Sequence, residues 1–276
     1  MDVRDETVDG TMLQAIDVHG HAGIYCGAAY QLLNDFYTGG IEIVRERASV
    51  ARIEITLVSA LASLLPRGNA DPVRGNEELE REISGNLCFR QWVVVDPRIP
   101  ETFEQAKRTI KNGHGIGIKI HPEEHVYRIR DYGRPIFEFA ARNELVILSH
   151  SGELNSLPED FAPWADAYPE TTLILAHLGF GHNADPTLQV RAIQKSKHGN
   201  IFADTSSAGS IRSNIIEWAV KEVGADKICF GTDSPLYDSP TMRARIDTAG
   251  ITANEKRKIL RENALHIFKI QEQTPR

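Results

Sequence analysis

The sequence predicts an α/β protein, a single-domain (β/α)₈ barrel of the TIM type, from three observations. Short runs rich in valine and isoleucine alternate with helical patterns along all 276 residues. There are eight such runs, and their ends lie about 25 to 40 residues apart, the repeat of one strand, loop and helix. No Pro/Ser-rich linker divides the chain, so we expect one domain over 1–276, with its core at about 15–268.

The eight runs are expected to be the parallel strands of the barrel, because crossover helices separate strands that lie side by side. Each run is long enough for one strand, and no run approaches the length of a membrane span. The runs lie near 15–21, 52–59, 89–96, 115–121, 145–150, 172–177, 200–204 and 227–233.

Three of the intervening helices have recognisable ends. Pro100 is a typical first residue of a helix, and Gly113 follows the apolar stripe of that segment. A second helix is expected to carry Ile211 on its apolar face and to stop at Gly224. A last helix over 254–268 should pack back on the barrel.

The composition excludes several classes of protein. The net charge is −7 and no basic stripe relieves it, so nucleic acid is not expected as a partner. The three cysteines, Cys26, Cys88 and Cys229, are odd in number and form no C-x-x-C pair, which disfavours a disulfide framework or a thiolate zinc site. The acidic N-terminus lacks an apolar segment. We therefore expect a cytoplasmic protein that binds neither membrane nor nucleic acid.

Residues able to bind a metal ion or a proton end most of the eight runs. Because the active site of a barrel is built at the carboxyl ends of its strands, these side chains should meet in one place. An apolar strand has no packing reason to finish in a histidine. The residues at the ends of seven runs are His21, Asp96, His121, His150, His177, Asp204 and Asp233.

His19 and His21 form an H-x-H pair whose two side chains can face the same side of a strand. About 0.4 such pairs are expected by chance from ten histidines, so the pair alone is weak evidence. Together with His150, His177 and Asp233 it predicts a mixed histidine and carboxylate site, which suits zinc, manganese or iron.

The order H-x-H, His, His, Asp on strands one, five, six and eight resembles the amidohydrolase superfamily. The segments 16–21, 168–179 and 230–235, with the closing 262–268, resemble its branch of aminocarboxymuconate-semialdehyde decarboxylase and related lactonases. This likeness covers residues 15 to 268 and specifies the superfamily far better than the substrate.

The resemblance implies that His19, His21, His150 and Asp233 bind one divalent ion. His177 would then orient the reactive water or the substrate, or bind a second ion. Such an ion lowers the pKa of bound water toward about 7. Asp233 would accept the proton of that water and pass it to the leaving group. Zinc is the expected metal, with manganese and iron as alternatives.

Lys119 and His121 lie two residues apart on the fourth strand and leave three alternatives open. In two-metal members of the superfamily a carbamylated lysine at this strand bridges the ions, and the histidine contacts the substrate. Lys119 could instead contact a substrate carboxylate as an ammonium, or pair with Asp17 or Asp96. The resemblance favours one ion.

Further side chains are weaker candidates. Asp17 shares the parity of the H-x-H pair and could orient a ligand from behind. Arg67, Arg98 and Arg212 fall in loops on the active-site side and could clamp a carboxylate, although such arginines are more often solvated.

The main functional hypothesis is a metal-dependent hydrolase that cleaves a C–O or C–N bond of a small carboxylated substrate, such as a lactone or an amide. The alternative is a lyase on the same site, a non-oxidative decarboxylase or hydratase. A barrel that only binds a ligand is disfavoured because every ligand position is filled. Related barrels suggest a homodimer.

Overall fold

Eight parallel strands close into a barrel in the computed structural model, which describes residues 7–8 and 11–270. Each strand pairs with the next in chain order, as predicted. The last strand meets the first through backbone hydrogen bonds, of which Val18 N to Phe230 O measures 2.9 Å. The strands are β1 (Ala15–Ala22), β2 (Ile53–Ala60), β3 (Phe89–Val94), β4 (Gly115–Ile120), β5 (Ile147–Ser149), β6 (Leu173–Leu175), β7 (Ile201–Asp204) and β8 (Ile228–Cys229).

Helices connect the strands and cover the outside of the barrel. Two follow β1, one follows each of β2 to β7, and the remainder follow β8. They are α1 (Gln31–Tyr37), α2 (Ile41–Val50), α3 (Pro72–Glu82), α4 (Pro100–Lys111), α5 (Ile129–Arg142), α6 (Pro158–Ala167), α7 (Leu188–Lys195), α8 (Ile215–Val223), α9 (Ser239–Asp247), α10 (Ala253–Arg257) and α11 (Asn263–Phe268). The π-helical segment Lys258–Glu262 joins α10 to α11. Two 3₁₀ turns (Leu61–Ser63 and Ala225–Lys227) and a short antiparallel pair (Thr7–Val8 with Thr11–Met12) complete the elements.

Two of the three predicted helices agree with the structure and one agrees only at its end. Pro100 opens α4, and Gly113 follows it with a φ of 78°. The last helical stretch runs from Ala253 to Phe268. The predicted placement of Ile211 on α8 is wrong, because that helix begins four residues later and Ile211 is exposed. Arg212 donates to the carbonyl of Gly179 at 3.1 Å, which holds this part of the chain as a loop at the barrel mouth.

Alternation along the strands separates two buried layers. Ile118 and Ile120 of β4 pack with the helices in the large outer cluster, whereas Lys119 between them points into the barrel. A second cluster inside the barrel contains Trp92, whose ring meets Phe268 of α11 at 5.4 Å. Apolar side chains therefore fill the barrel at the amino ends of its strands, and polar side chains occupy the carboxyl ends. Among the described residues, no helix is long and apolar enough to cross a membrane.

Candidate active site

A cavity of about 180 Å³ opens at the carboxyl end of the barrel. Seven of the polar side chains in its wall are ones that the sequence predicts at or near strand ends, and they come from five different strands or the turns after them. They are His19, His21, Lys119, His121, His150, His177 and Asp233. The fold thus brings these residues together in one cavity, as the sequence predicts.

Four of these residues lie beyond the strands: His121 and His150 directly follow β4 and β5, whereas His177 and Asp233 lie further along, in the turns after β6 and β8. β6 ends at Leu175 and β8 at Cys229, so the predicted runs 172–177 and 227–233 extend past the observed strands. His177 and Asp233 have φ values of 72° and 58°, a left-handed conformation that costs energy for a residue with a side chain. Both residues nevertheless present their side chains to the cavity, as strained residues of binding sites often do.

His19, His21 and Asp233 form the first group of side chains that could hold a metal ion. Asp233 Oδ1 lies 3.0 Å from His21 Nε2 and 3.5 Å from His19 Nε2. Ser59 Oγ contacts the other nitrogen of His21 at 2.8 Å. Since a carboxylate only accepts, His21 Nε2 donates to Asp233 in this structure, and the Ser59 hydroxyl could accept from Nδ1 if Nε2 instead bound an ion. All three side chains are buried, and one ligand atom of each lies within 4.8 Å of the others.

A second group of possible ligands shares His19 and adds His177 and Asp204. Asp204 Oδ2 lies 2.9 Å from His19 Nδ1. His177 Nε2 lies 3.0 Å from His150 Nδ1, and His150 Nε2 lies 2.7 Å from Glu153 Oε2. Within the described chain, His150 belongs to neither three-residue group, so it reaches the ligand cluster only through its contact with His177.

The hydrogen bonds leave ring nitrogens inside the cluster with unshared electron pairs. His177 Nδ1 lies 3.0 Å from the carbonyl oxygen of Ser206, so it must carry the proton and Nε2 must not. His150 Nε2 faces the carboxylate of Glu153, so its Nδ1 is the unprotonated nitrogen. Two lone pairs therefore face each other at 3.0 Å, an arrangement that only a shared proton or a cation satisfies. With His19 Nε2 and Asp233, this donor set fits a borderline divalent ion.

Lys119 is completely buried, and its Nζ lies 2.9 Å from His19 Nε2. Burial lowers the pKa of Lys119 to about 8. The negative charges of Asp233 and Asp204 raise that pKa, but burial has the larger effect. The alternative that Lys119 pairs with Asp17 or Asp96 is not what the structure has. Asp17 accepts from the backbone N–H of His19 and from Thr232, and Arg98 binds Asp96.

His121 stacks on His150 with ring centroids 4.1 Å apart. Burial holds the pKa of His121 well below its ordinary value, and the positive charges that His150 and Lys119 can carry lower it further. The backbone N–H of Glu124 donates to its Nδ1 at 3.3 Å. A neutral His121 with Nε2 as its remaining nitrogen can donate to an oxygen of a ligand in the cavity.

The three candidate arginines lie outside the cavity lining and are engaged elsewhere. Arg67 pairs with Glu124 at 2.8 Å, Arg98 pairs with Asp96, and Arg212 binds a backbone carbonyl. The guanidinium clamp for a carboxylate that the loops suggested is thus not assembled by these residues. Asp17, the other weak candidate, supports the backbone of His19 rather than its ring.

Sequence reasoning gave no site role to four contributors to the cluster. Asp204 was visible as a strand-end carboxylate, but its partner His19 lies 185 positions away. Glu153, Ser59 and Ser206 carry no pattern of their own. A serine or glutamate near a strand end is common, and only three-dimensional contact assigns these side chains to His150, His21 and His177.

The family model described as "Amidohydrolase" matches residues 86–270. The chain belongs to the amidohydrolase family. Gamma-resorcylate decarboxylase of Rhizobium radiobacter is 29% identical to this chain over 118 residues. That match covers 38% of this chain and 36% of the relative, so it spans little more than a third of either protein.

Two solved structures share the whole barrel. The 2,6-dihydroxybenzoate decarboxylase from Rhizobium superposes with a TM-score of 0.72 at 17% identity, over 94% of this chain and 99% of that one. A dihydroxybenzoic acid decarboxylase from Polaromonas sp. JS666, with bound manganese and the inhibitor 2-nitroresorcinol, gives 0.70 at 19% identity, over 94% and 97%. At these identities the likeness is one of fold, and the metal ligands of this chain stay a prediction.

Proposed function

We propose that this amidohydrolase-family protein is a metal-dependent, non-oxidative decarboxylase of a small aromatic carboxylate such as a hydroxylated benzoic acid. The observation that carries the proposal is the division of the cavity into an imidazole and carboxylate cluster and an apolar wall. The relatives named above are decarboxylases of such acids, which favours decarboxylation over the hydrolysis that the sequence suggested first.

The apolar wall suits one flat ring. Leu61, Leu64 and Leu65, from the turn after β2, line the cavity together with Leu236 and Phe180. A volume of about 180 Å³ suits a single substituted ring. A ring on this wall directs its carboxylate toward the cluster, where Lys119 and a neutral His121 can donate hydrogen bonds to it.

His19, His21 and Asp233 would hold the ion, with the inward nitrogens of His150 and His177 completing the set. Held by these residues, a divalent ion would supply Lewis-acid chemistry toward the oxygens of a carboxylated substrate. Manganese is a candidate beside zinc and iron, because the Polaromonas relative has it bound.

The reaction replaces a C–CO₂⁻ bond by a C–H bond and therefore needs one proton at the ring carbon. Burial alone would raise the pKa of Asp233, but the hydrogen bond from His21 and the charges of His19 and His177 hold that pKa below its ordinary value. Asp233 is thus ionised and must first accept the proton that it later donates. It takes that proton from a ring hydroxyl and delivers it to the carbon as CO₂ leaves; the phenolate product regains a proton from water.

Hydrolysis is the second candidate, because it too needs an ionised carboxylate that can accept a proton. An ionised Asp233 that lines the cavity can equally accept the proton of a water molecule, as cleavage of a lactone or amide requires. Both reactions use the same side chains and differ in the substrate that the apolar wall accepts.

A substrate panel distinguishes the two reactions. The purified protein, loaded with manganese, zinc or iron, is incubated with 2,6-dihydroxybenzoate and 5-carboxyvanillate and, separately, with small lactones and amides. We expect CO₂ release from an aromatic acid and, in D₂O, one deuterium on the ring carbon that carried the carboxylate. Turnover of lactones or amides without any decarboxylation would overturn the proposal in favour of hydrolysis.

A further inference from the structure

Asp204 is a completely buried carboxylate at the end of β7 whose two oxygens have different partners. Oδ1 accepts hydrogen bonds from the backbone N–H groups of His177 and Ser206, each at 3.0 Å, and from the Ser206 hydroxyl. Oδ2 lies 2.9 Å from Nδ1 of His19. One side chain therefore joins β7 to the turn after β6 and to the histidine of β1.

The contact with Oδ2 decides which nitrogen of His19 carries the proton. A carboxylate only accepts hydrogen bonds, so His19 Nδ1 must be the donor. Ser206 Oγ, 2.8 Å from the same nitrogen, gives its own proton to Asp204 and can likewise only accept from Nδ1. A neutral imidazole has a single N–H, which leaves Nε2 of His19 with its lone pair directed at Lys119 and Asp233.

We infer that Asp204 is a positioning residue that fixes His19 in the Nδ1–H tautomer and thereby keeps Nε2 available as a metal ligand. The inference rests on the proposed metal site. Partners behind ligating histidines commonly fix the tautomer and raise the basicity of the ligand. The simpler alternative is that Asp204 only satisfies the two backbone N–H groups at Oδ1, a purely structural role.

Asp204→Asn separates these two roles because of the asymmetry of the contacts. The backbone N–H groups of His177 and Ser206 need an acceptor, so the amide oxygen must take the Oδ1 position. The amide nitrogen then takes the Oδ2 position and donates to His19 Nδ1. His19 is forced into the Nε2–H tautomer, which cannot bind a metal ion through Nε2. The structural role survives in this variant, whereas the positioning role is lost.

Asp17→Asn is the matched control. Asp17 is as buried as Asp204 and also touches His19, but it accepts from the backbone N–H of that residue and contacts no ring nitrogen. Its Oδ2 accepts from the hydroxyl of Thr232, which can turn and accept from an amide instead. Asp17→Asn should therefore leave the tautomer of His19 unchanged.

The first test measures metal affinity by competition with a chelator, without substrate. We expect Asp204→Asn to bind zinc or manganese about 10- to 100-fold more weakly than the parent, and Asp17→Asn to match the parent. Equal affinities of Asp204→Asn and the parent would overturn the role of Asp204. Absence of metal binding in the parent would instead overturn the proposed function.

The second test reads the tautomer directly, and the outcome that would refute the inference is measured in the parent protein alone. In the metal-free parent, labelled with ¹⁵N in its histidine rings, long-range ¹H–¹⁵N spectra distinguish the protonated from the unprotonated ring nitrogen. The signals of His19 are assigned by their loss in His19→Gln. We expect the proton on Nδ1 in the parent and on Nε2 in Asp204→Asn. A proton on Nε2 of His19 in the parent would refute the inference whatever the metal affinities are.

Discussion

Replacing Lys119 by methionine removes the only buried ammonium next to the proposed ligands in the described part of the chain, with little change in side-chain volume. Lys119 Nζ lies 2.9 Å from His19 Nε2. An ion bound to that nitrogen lies about 2.1 Å from it. The ion and Nζ would thus be at most about 5 Å apart.

At that distance a single charge and a divalent ion repel each other by about 7 kcal/mol at an effective dielectric constant near 20. Burial already lowers the pKa of Lys119 to about 8, so the loss of its proton at pH 7 costs only about 1.4 kcal/mol. Loss of the proton costs less than the repulsion between the ammonium and the ion, so we expect Lys119 to be neutral when the ion is bound. This penalty corresponds to about a tenfold weaker metal affinity.

Lys119→Met should therefore keep a single ion, bind it about tenfold more tightly at pH 7 and lose part of its affinity for a carboxylate substrate. The advantage in metal affinity disappears above pH 8, because the parent lysine is then already neutral. Metal analysis gives the stoichiometry, and chelator competition at pH 7 and pH 9 gives the affinity. Lys227→Met is the control, since Lys227 lies over the ring of Phe202 near the start of β8, outside the cavity lining.

Two results would refute this reasoning. If the parent holds two ions and Lys119→Met holds one, Lys119 is a carbamate bridge and the charge argument does not apply. If the variant keeps one ion but binds it more weakly, the lysine supports the metal rather than opposing it. An unchanged count of one ion with higher affinity is the expected outcome.

Three further predictions concern the same cavity. Asp233→Asn should lower kcat of the metal-loaded enzyme by about 10² or more, because an amide cannot carry the proton; near-normal turnover would make Asp233 a spectator. Phe180→Ala should raise KM for an aromatic acid about three- to tenfold at unchanged kcat, since one ring contact contributes about 0.5–1.5 kcal/mol; an unchanged KM would place the substrate ring elsewhere. Removal of the metal should lower the melting temperature by about 5 °C relative to protein in free metal at about a hundred times Kd, because such binding stabilises the folded state by about 2.7 kcal/mol. Identical melting curves would argue against a metal site.

The sequence by itself determined the barrel and seven of the polar residues that line the cavity. Strands and helices have distinct periodicities, and parallel strands bring their carboxyl ends together whatever the loops contain. For that reason the positions of His19, His21, His150, His177 and Asp233 along the chain were enough to predict that they share one cavity. The eight parallel strands, paired in chain order, confirm the predicted fold.

Only the tertiary structure decided how those side chains are connected. The contacts of His19 with Asp204 and with Lys119 join residues 185 and 100 positions apart, and no local pattern encodes which ring nitrogen faces which partner. A contact distant in sequence also holds Ile211 outside α8, since its neighbour Arg212 donates to the carbonyl of Gly179. Periodicity follows from neighbours along the chain, whereas proton positions on buried imidazoles follow from neighbours in space.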